Sequence, residues 1–148
     1  MDKKRISLIS VYALVMVGLF IATFGGQWNP SNYSYTMNED TVVIEKGLFS
    51  EKVEAVDIDE HINNILLFQV ALSEERQLWR LDVGMIGLML PLLAFLFIPQ
   101  QRPLKKYLSF KWYMTVVLAI LVLYMAYSIP NHLTQIENVH EYVRILVE

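Results

Sequence analysis

Three long apolar runs, separated by polar stretches, set the pattern of this chain. The first, Ile6 to Phe24, carries no charge, and only Ser7, Ser10 and Thr23 interrupt it with polar groups. At 1.5 Å per residue a helix of that length crosses a hydrocarbon layer of about 30 Å. A signal peptide has a shorter apolar region, and Thr23-Phe24-Gly25 is a poor cleavage site, so an uncleaved anchor is expected. The second run extends from about Leu81 to Ile98, and the third from Trp112 to Ile129. Trp79 stands at the entry of the second, while Trp112, Tyr113, Tyr124 and Tyr127 flank the third, as interfacial aromatic belts do.

The polar stretches have their own pattern. Tyr33–Met37 and Thr41–Glu45 have strand composition around a turn at Asn38-Glu39-Asp40, and Val53–Ile58 alternates with period two after Lys46-Gly47. Ile65–Leu72 is apolar apart from Gln69 and suits a fourth strand or a buried helix; the strand is favoured, because Ser73-Glu74-Glu75 supplies a hydroxyl cap and first-turn acids for a helix start. Pro91 falls inside the second run and predicts a kink; Pro130-Asn131 predicts a break or bend after the third. Beyond it, Leu133, Ile136, Val139, Val143 and Leu146 form an amphipathic stripe suited to packing on the polar module or on a partner.

The expected fold is an α-helical membrane protein with three transmembrane helices, a small antiparallel β module between helices 1 and 2, and an amphipathic C-terminal helix. It divides into a stub at 1–5, transmembrane helix 1 at 6–26, a β-rich module at 27–72 and a helix at 73–99 holding transmembrane segment 2. A basic loop at 100–111, transmembrane helix 3 at 112–130 and an amphipathic tail at 131–148 complete the division.

Charge gives that arrangement a direction. The stub and the loop carry Lys3, Lys4, Arg5, Arg102, Lys105, Lys106 and Lys111 against Asp2 alone, a net +6; the remaining polar segments hold five basic and fourteen acidic residues, a net −9. Basic residues crowd the cytoplasmic ends of spans. The N-terminus is therefore expected in the cytoplasm, and the module and C-terminus outside a plasma membrane. With 55% hydrophobic and 18% charged residues little chain remains for a soluble domain, and the absence of cysteine excludes disulfides, thiolate metal sites and cysteine nucleophiles. Asn32-Tyr33-Ser34 is a glycosylation sequon by chance if the membrane is bacterial, as expected here.

The segment from Tyr35 to Ile62 has a tyrosine, a hydrophobic strand, a glycine turn, a second strand and a following isoleucine, carried by Tyr35, Val42, Val43, Ile44, Gly47, Phe49, Val53, Ile58 and Ile62. Residues 33–65 thereby resemble the opening strands of bacterial PH-like domains attached to membrane helices. The resemblance implies a β-barrel with a closing helix, usually on the cytoplasmic side. This loop is shorter than that barrel, and its charge places it on the opposite side.

Candidate chemistry is sparse. Asp82 is the one carboxylate near a span, where intramembrane acids are functional suspects; its place less than a turn past Trp79, with Arg80 beside it, predicts a hydrated interfacial acid. Gly84 and Gly87, with Ala94 beyond, offer a face for close helix packing. Glu137-x-x-His140 with His132 and Glu141, and His61 with Asp57, Asp59 and Glu60, are too thin for metal sites and suit solvated faces. The basic loop suits anionic head groups, a role its orientation signal already covers. No nucleophile elbow, zinc-protease motif, P-loop or dinucleotide fingerprint occurs.

No catalytic residue, cofactor or metal is expected, and no nucleic acid partner. The pattern points to a non-catalytic membrane protein whose acidic outer module binds another membrane protein, a secreted peptide or a second copy, in an accessory, regulatory or immunity-type role. The alternatives are a membrane-surface enzyme using Asp82 with Glu74 or Glu75, and an oligomeric channel-like assembly packed through Gly84 and Gly87.

Overall fold

Each apolar run forms the core of a helix in the computed structural model, which describes residues 2–148. Helix α1, Lys3–Phe20, starts on Asp2, whose carboxylate accepts a 3.5 Å hydrogen bond from the Lys4 amide, and widens into a π-helical turn over Ile21–Gly25. Helix α2 spans Ile58–Phe97 and helix α3 spans Phe110–Val147. All three are long and apolar enough to cross a membrane.

Between α1 and α2 lies one antiparallel sheet of order β1-β2-β3, made of Tyr33–Met37, Thr41–Lys46 and Glu51–Asp57. Tyr35 pairs with Ile44, Val42 pairs with Val56, and a bulge at Ile44/Glu45 shifts the second ladder. Period-two alternation turns Val42, Ile44 and Val56 to one face, where they are buried. That face packs on Ile65, Phe68, Ala71 and Leu72 of α2 and on Val139, Val143 and Leu146 of α3. The C-terminal stripe thus covers the sheet module, whereas Leu133 at its start stays 63% exposed.

Two expectations are corrected. Helix α2 begins at Ile58, not at Ser73, and residues 65–72 are helical rather than a fourth strand. Asp57 is the cap: its side chain accepts the Asp59 amide at 2.9 Å, with Asp59 and Glu60 favourably placed in the first turn. The backbone departs from helical geometry only at His61. Second, Pro130 does not end α3, so residues 131–148 are its last turns and no separate tail. Thr134 and Asn131 hydroxyl and amide groups bond back to the Pro130 and Tyr127 carbonyls at 3.0 and 2.7 Å, supporting the backbone around the proline.

At the opposite end a smaller core of Met89, Tyr113 and Val117 joins α2 to α3. The connecting segment, with a 3-10 turn at Pro99–Gln101, is held by Arg102, which donates to the carbonyls of Pro99 at 2.8 Å and Leu108 at 3.3 Å. The molecule therefore has a sheet end and a basic end, joined by α2 and α3.

Candidate functional site

Helical spacing assembles the first polar cluster. Tyr124, Ser128 and His132 recur every four residues on α3 and so share one face. All three meet Asp82 of α2. The Tyr124 hydroxyl and the Ser128 hydroxyl, the latter at 2.9 Å, donate to Asp82 Oδ1, and His132 Nε2 contacts Asp82 Oδ2. The Asp82 and His132 side chains are 14% and 15% exposed. Asp82 is thus engaged with α3 rather than hydrated beside Arg80, whose guanidinium lies over the Phe24 ring at 5.6 Å. Ser128 faces the carboxylate and not the imidazole, so the group lacks a serine–histidine relay; among the described residues His132 Nδ1 is buried without a partner. Chemically this is a cross-helix clamp in which one carboxylate gathers three donors.

A second buried cluster lies two turns away on α2. Glu75 is fully buried, with Asn29 2% and Ser31 5% exposed. The Ser31 amide donates to Glu75 Oε1 at 2.7 Å, and the Ser31 hydroxyl stands 2.7 Å from both Glu75 Oε2 and Asn29 Oδ1. Asn29 Nδ2 donates to the Tyr33 carbonyl at 2.8 Å. The chain leaving α1 is thereby fastened to α2 just before it enters β1. Below that fastening, Trp79 Nε1 donates to Thr23 Oγ1 at 3.0 Å, and the Trp79 and Trp28 rings meet edge-on at 4.7 Å.

Pro91 and Gly87 form a third unit with α1. A proline has no N–H, so the carbonyl four residues earlier, that of Gly87, loses its helical donor. The Tyr12 hydroxyl fills that vacancy at 2.9 Å. Helix α1 packs closely over Gly87, where a Cβ would lie 3.0 Å from the terminal methyl of Met16. Gly84 has open space around it, so within this chain only Gly87 of the two meets another helix. Toward the basic end α1 and α2 diverge around an apolar cleft of about 940 Å³ lined by Leu8, Val11, Leu90, Ala94 and Phe95, with Lys3 and Lys4 at its mouth.

The sheet supplies the exposed chemistry. Its far end joins two turns through a 3.0 Å bond from the Ile58 amide to the Asp40 carbonyl, and Glu39, Asp40, Asp57, Asp59 and Glu60 are all exposed around that junction. His140 packs edge-on against Tyr33 at 5.5 Å. No group of three His, Asp or Glu side chains placed to hold a metal occurs among the described residues.

The sequence singled out Asp82, Gly87 and Pro91 but not their partners. The signal for the clamp was the four-residue recurrence of Tyr124, Ser128 and His132, three polar groups on one face of an otherwise apolar helix. Glu75 reads in the sequence as a first-turn acid, and no local signal ties it to Ser31. Compared with known proteins, the chain matches no family model, no curated protein and no solved structure. The three strands end at Asp57, and the chain then turns into α2.

Proposed function

We propose that the chain is a multi-pass protein of the bacterial plasma membrane, with a cytoplasmic N-terminus and the sheet end outside. In this reading α1 and the apolar parts of α2 and α3 cross the bilayer. Leu14, Leu88 and Leu123 expose 76%, 67% and 71% of their surface along these helices, which suits a hydrocarbon solvent. The sheet and the joined ends of α2 and α3 serve as a non-catalytic binding module for a cationic segment of another membrane protein or of a secreted peptide. An accessory, regulatory or immunity-type role follows from that.

The observation that carries this reading is the acidic apex on a rigid support. Five carboxylates surround the Asp40–Ile58 junction, and beneath them three separate chain segments share one core. Clustered charge of one sign steers an oppositely charged partner and raises its association rate. The test has two arms. Single cysteines replacing Asp40, Lys106 and Glu148 in this cysteine-free chain should label from outside, inside and outside respectively. Reversing Asp57, Asp59 and Glu60 to lysine should abolish in-cell cross-links from the apex to its partner and any peptide protection the protein confers. Labelling of Asp40 from the cytoplasm, or a deletion strain with unchanged peptide sensitivity and no cross-linked partner, sinks the proposal.

The second reading, a membrane-surface enzyme, rests on Asp82. Its carboxylate already satisfies Tyr124, Ser128 and His132, which favours a structural role. A phenotype lost in Asp82→Asn at normal expression and fold would favour the enzyme instead. For the channel-like assembly, Met16 and Tyr12 of the same chain occupy the face of Gly87, which leaves Gly84 as the open glycine through which copies would pack.

A further inference from the structure

The turn between β2 and β3 has no role in the acidic apex, yet it bears the most exposed apolar pair on the sheet. Leu48 is 80% and Phe49 is 93% exposed. The turn is anchored on both sides. Gly47 takes a φ of +88° and Ser50 a φ of +51°, left-handed conformations that tighten the loop, and the Gly47 amide donates to the Asn32 carbonyl at 2.9 Å. Two apolar side chains are held outward by a well-formed hairpin rather than left on a slack loop.

The hydrogen bonds also fix the height of this tip along α2. Asn32 follows Ser31, and Ser31 is fastened to Glu75. Glu75 lies one helical turn, about 6 Å, from Trp79. Trp79 contacts Thr23 and Trp28 where α1 ends. From Gly47 the chain continues in the direction of β2, away from the acidic apex. The tip therefore sits at the level of the tryptophan pair, at the opposite end of the sheet from Asp40 and Asp57. Tryptophans at span ends mark the boundary between head groups and hydrocarbon.

We propose that Leu48 and Phe49 insert into the outer face of the bilayer, making the β2–β3 tip a further attachment of the sheet to the membrane, beside the α1 linker, α2 and α3. This rests on the membrane reading above and goes beyond it. Lys46 and Lys52 flank the tip, but each faces an acid across the ladder, in the pairs Lys46–Glu51 and Glu45–Lys52. The tip is locally neutral, and its occupant is the boundary layer of the lipids whatever their head-group charge. Burial of the two side chains drives the insertion; the Lys46 ammonium lies over the Tyr33 ring at 5.1 Å, and Lys52 can extend its ammonium group toward phosphates while its stem stays near the apolar layer.

The test uses the full-length protein in phosphatidylcholine vesicles. One environment-sensitive fluorophore is placed on Ser50→Cys, with Asp40→Cys as the aqueous reference and Leu14→Cys as the hydrocarbon reference. Expected are a blue-shifted emission at position 50, loss of emission to lipids spin-labelled near the head group, and the same response when anionic lipid is added. Replacing Leu48 and Phe49 together by serine should return position 50 to the behaviour of position 40. If position 14 is quenched by lipids spin-labelled deep in the acyl chain while position 50 stays like position 40 with the head-group label, the insertion is wrong and the membrane reading stands. If position 14 is not quenched by the deep label, both are wrong. A blue shift at position 50 without lipid quenching, or quenching that survives the double serine change, also overturns the assignment, the former in favour of a protein contact.

Discussion

Asp82 of α2 and His132 of α3 face each other fifty residues apart in sequence, and the same carboxylate also receives the hydroxyls of Tyr124 and Ser128. One side chain thus ties together three turns of the neighbouring helix.

Removing it tests what the clamp is worth. Asp82→Ala leaves three donors without an acceptor and should destabilise the α2–α3 pair by about 2 kcal/mol, between the modest value of an interhelical hydrogen bond in a membrane and the cost of a broken buried pair. Asp82→Asn keeps an acceptor for the two hydroxyls and should cost less. Reversible unfolding in mixed micelles gives the order, and equal losses for both changes would contradict it.

Glu75 should tolerate an amide and not an alanine. The Ser31 hydroxyl has one hydrogen but two oxygen neighbours at 2.7 Å, so Glu75→Gln can accept from the Ser31 amide and donate to the Ser31 oxygen. Unchanged or improved stability is expected. Glu75→Ala strands the buried Ser31 amide, leaves the Ser31 hydroxyl only Asn29 Oδ1, and should cost about 2–3 kcal/mol. Protection of the Ser31 amide from hydrogen exchange reports the difference directly.

Tyr12 and Pro91 should behave as a coupled pair. Tyr12→Phe leaves the Gly87 carbonyl without a donor, an expected loss of about 1 kcal/mol. In a Pro91→Ala background the restored backbone N–H supplies that donor, and the loss should shrink toward zero. Additive effects in the double-mutant cycle would contradict the pairing.

The glycines separate in the same region. Gly87→Leu should release α1 from α2, because its side chain would fill the space of Met16, while Gly84→Ala should be silent. Cross-linking of cysteines placed on α1 and α2 distinguishes the two.

In the sheet-end core, Phe68→Ala should cost about 3–5 kcal/mol and open the sheet end to trypsin at Lys46 and Lys52. Leu133→Ala, at a largely exposed position on the same module, serves as the silent control.

Much of this architecture was legible in the sequence, for identifiable reasons. The apolar runs are longer than any soluble helix needs, and the strands at Tyr33 and Thr41 begin where alternation and turn residues placed them. The error at Ile65–Leu72 arose because an apolar run has no visible period. In the fold only Ile65, Phe68, Ala71, Leu72 and then Glu75 are buried, a helical stripe with Glu75 disguised as a polar start signal. Asp57-Ile58-Asp59-Glu60 was the better start, an acid cap followed by acids. Pro130 removes one backbone donor from α3 without ending it, because the turns beyond are held by the packing of Val139, Val143 and Leu146 beneath the sheet. The clamp and the Ser31–Glu75 fastening join residues forty or more positions apart, and no local pattern carries that information.

Helices α2 and α3 run without a break from their apolar middle into the core beneath the sheet, which gives them a mechanical character. From Trp79 back to Ile62 the shaft of α2 extends about 25 Å, so a 10° tilt pivoting at the tryptophan level swings its upper end by about 4 Å. The sheet rides on that shaft and on α3. A displacement at the acidic apex therefore acts as leverage around Asp82 and His132, and a change in the packing of the two helices there is magnified at the sheet end.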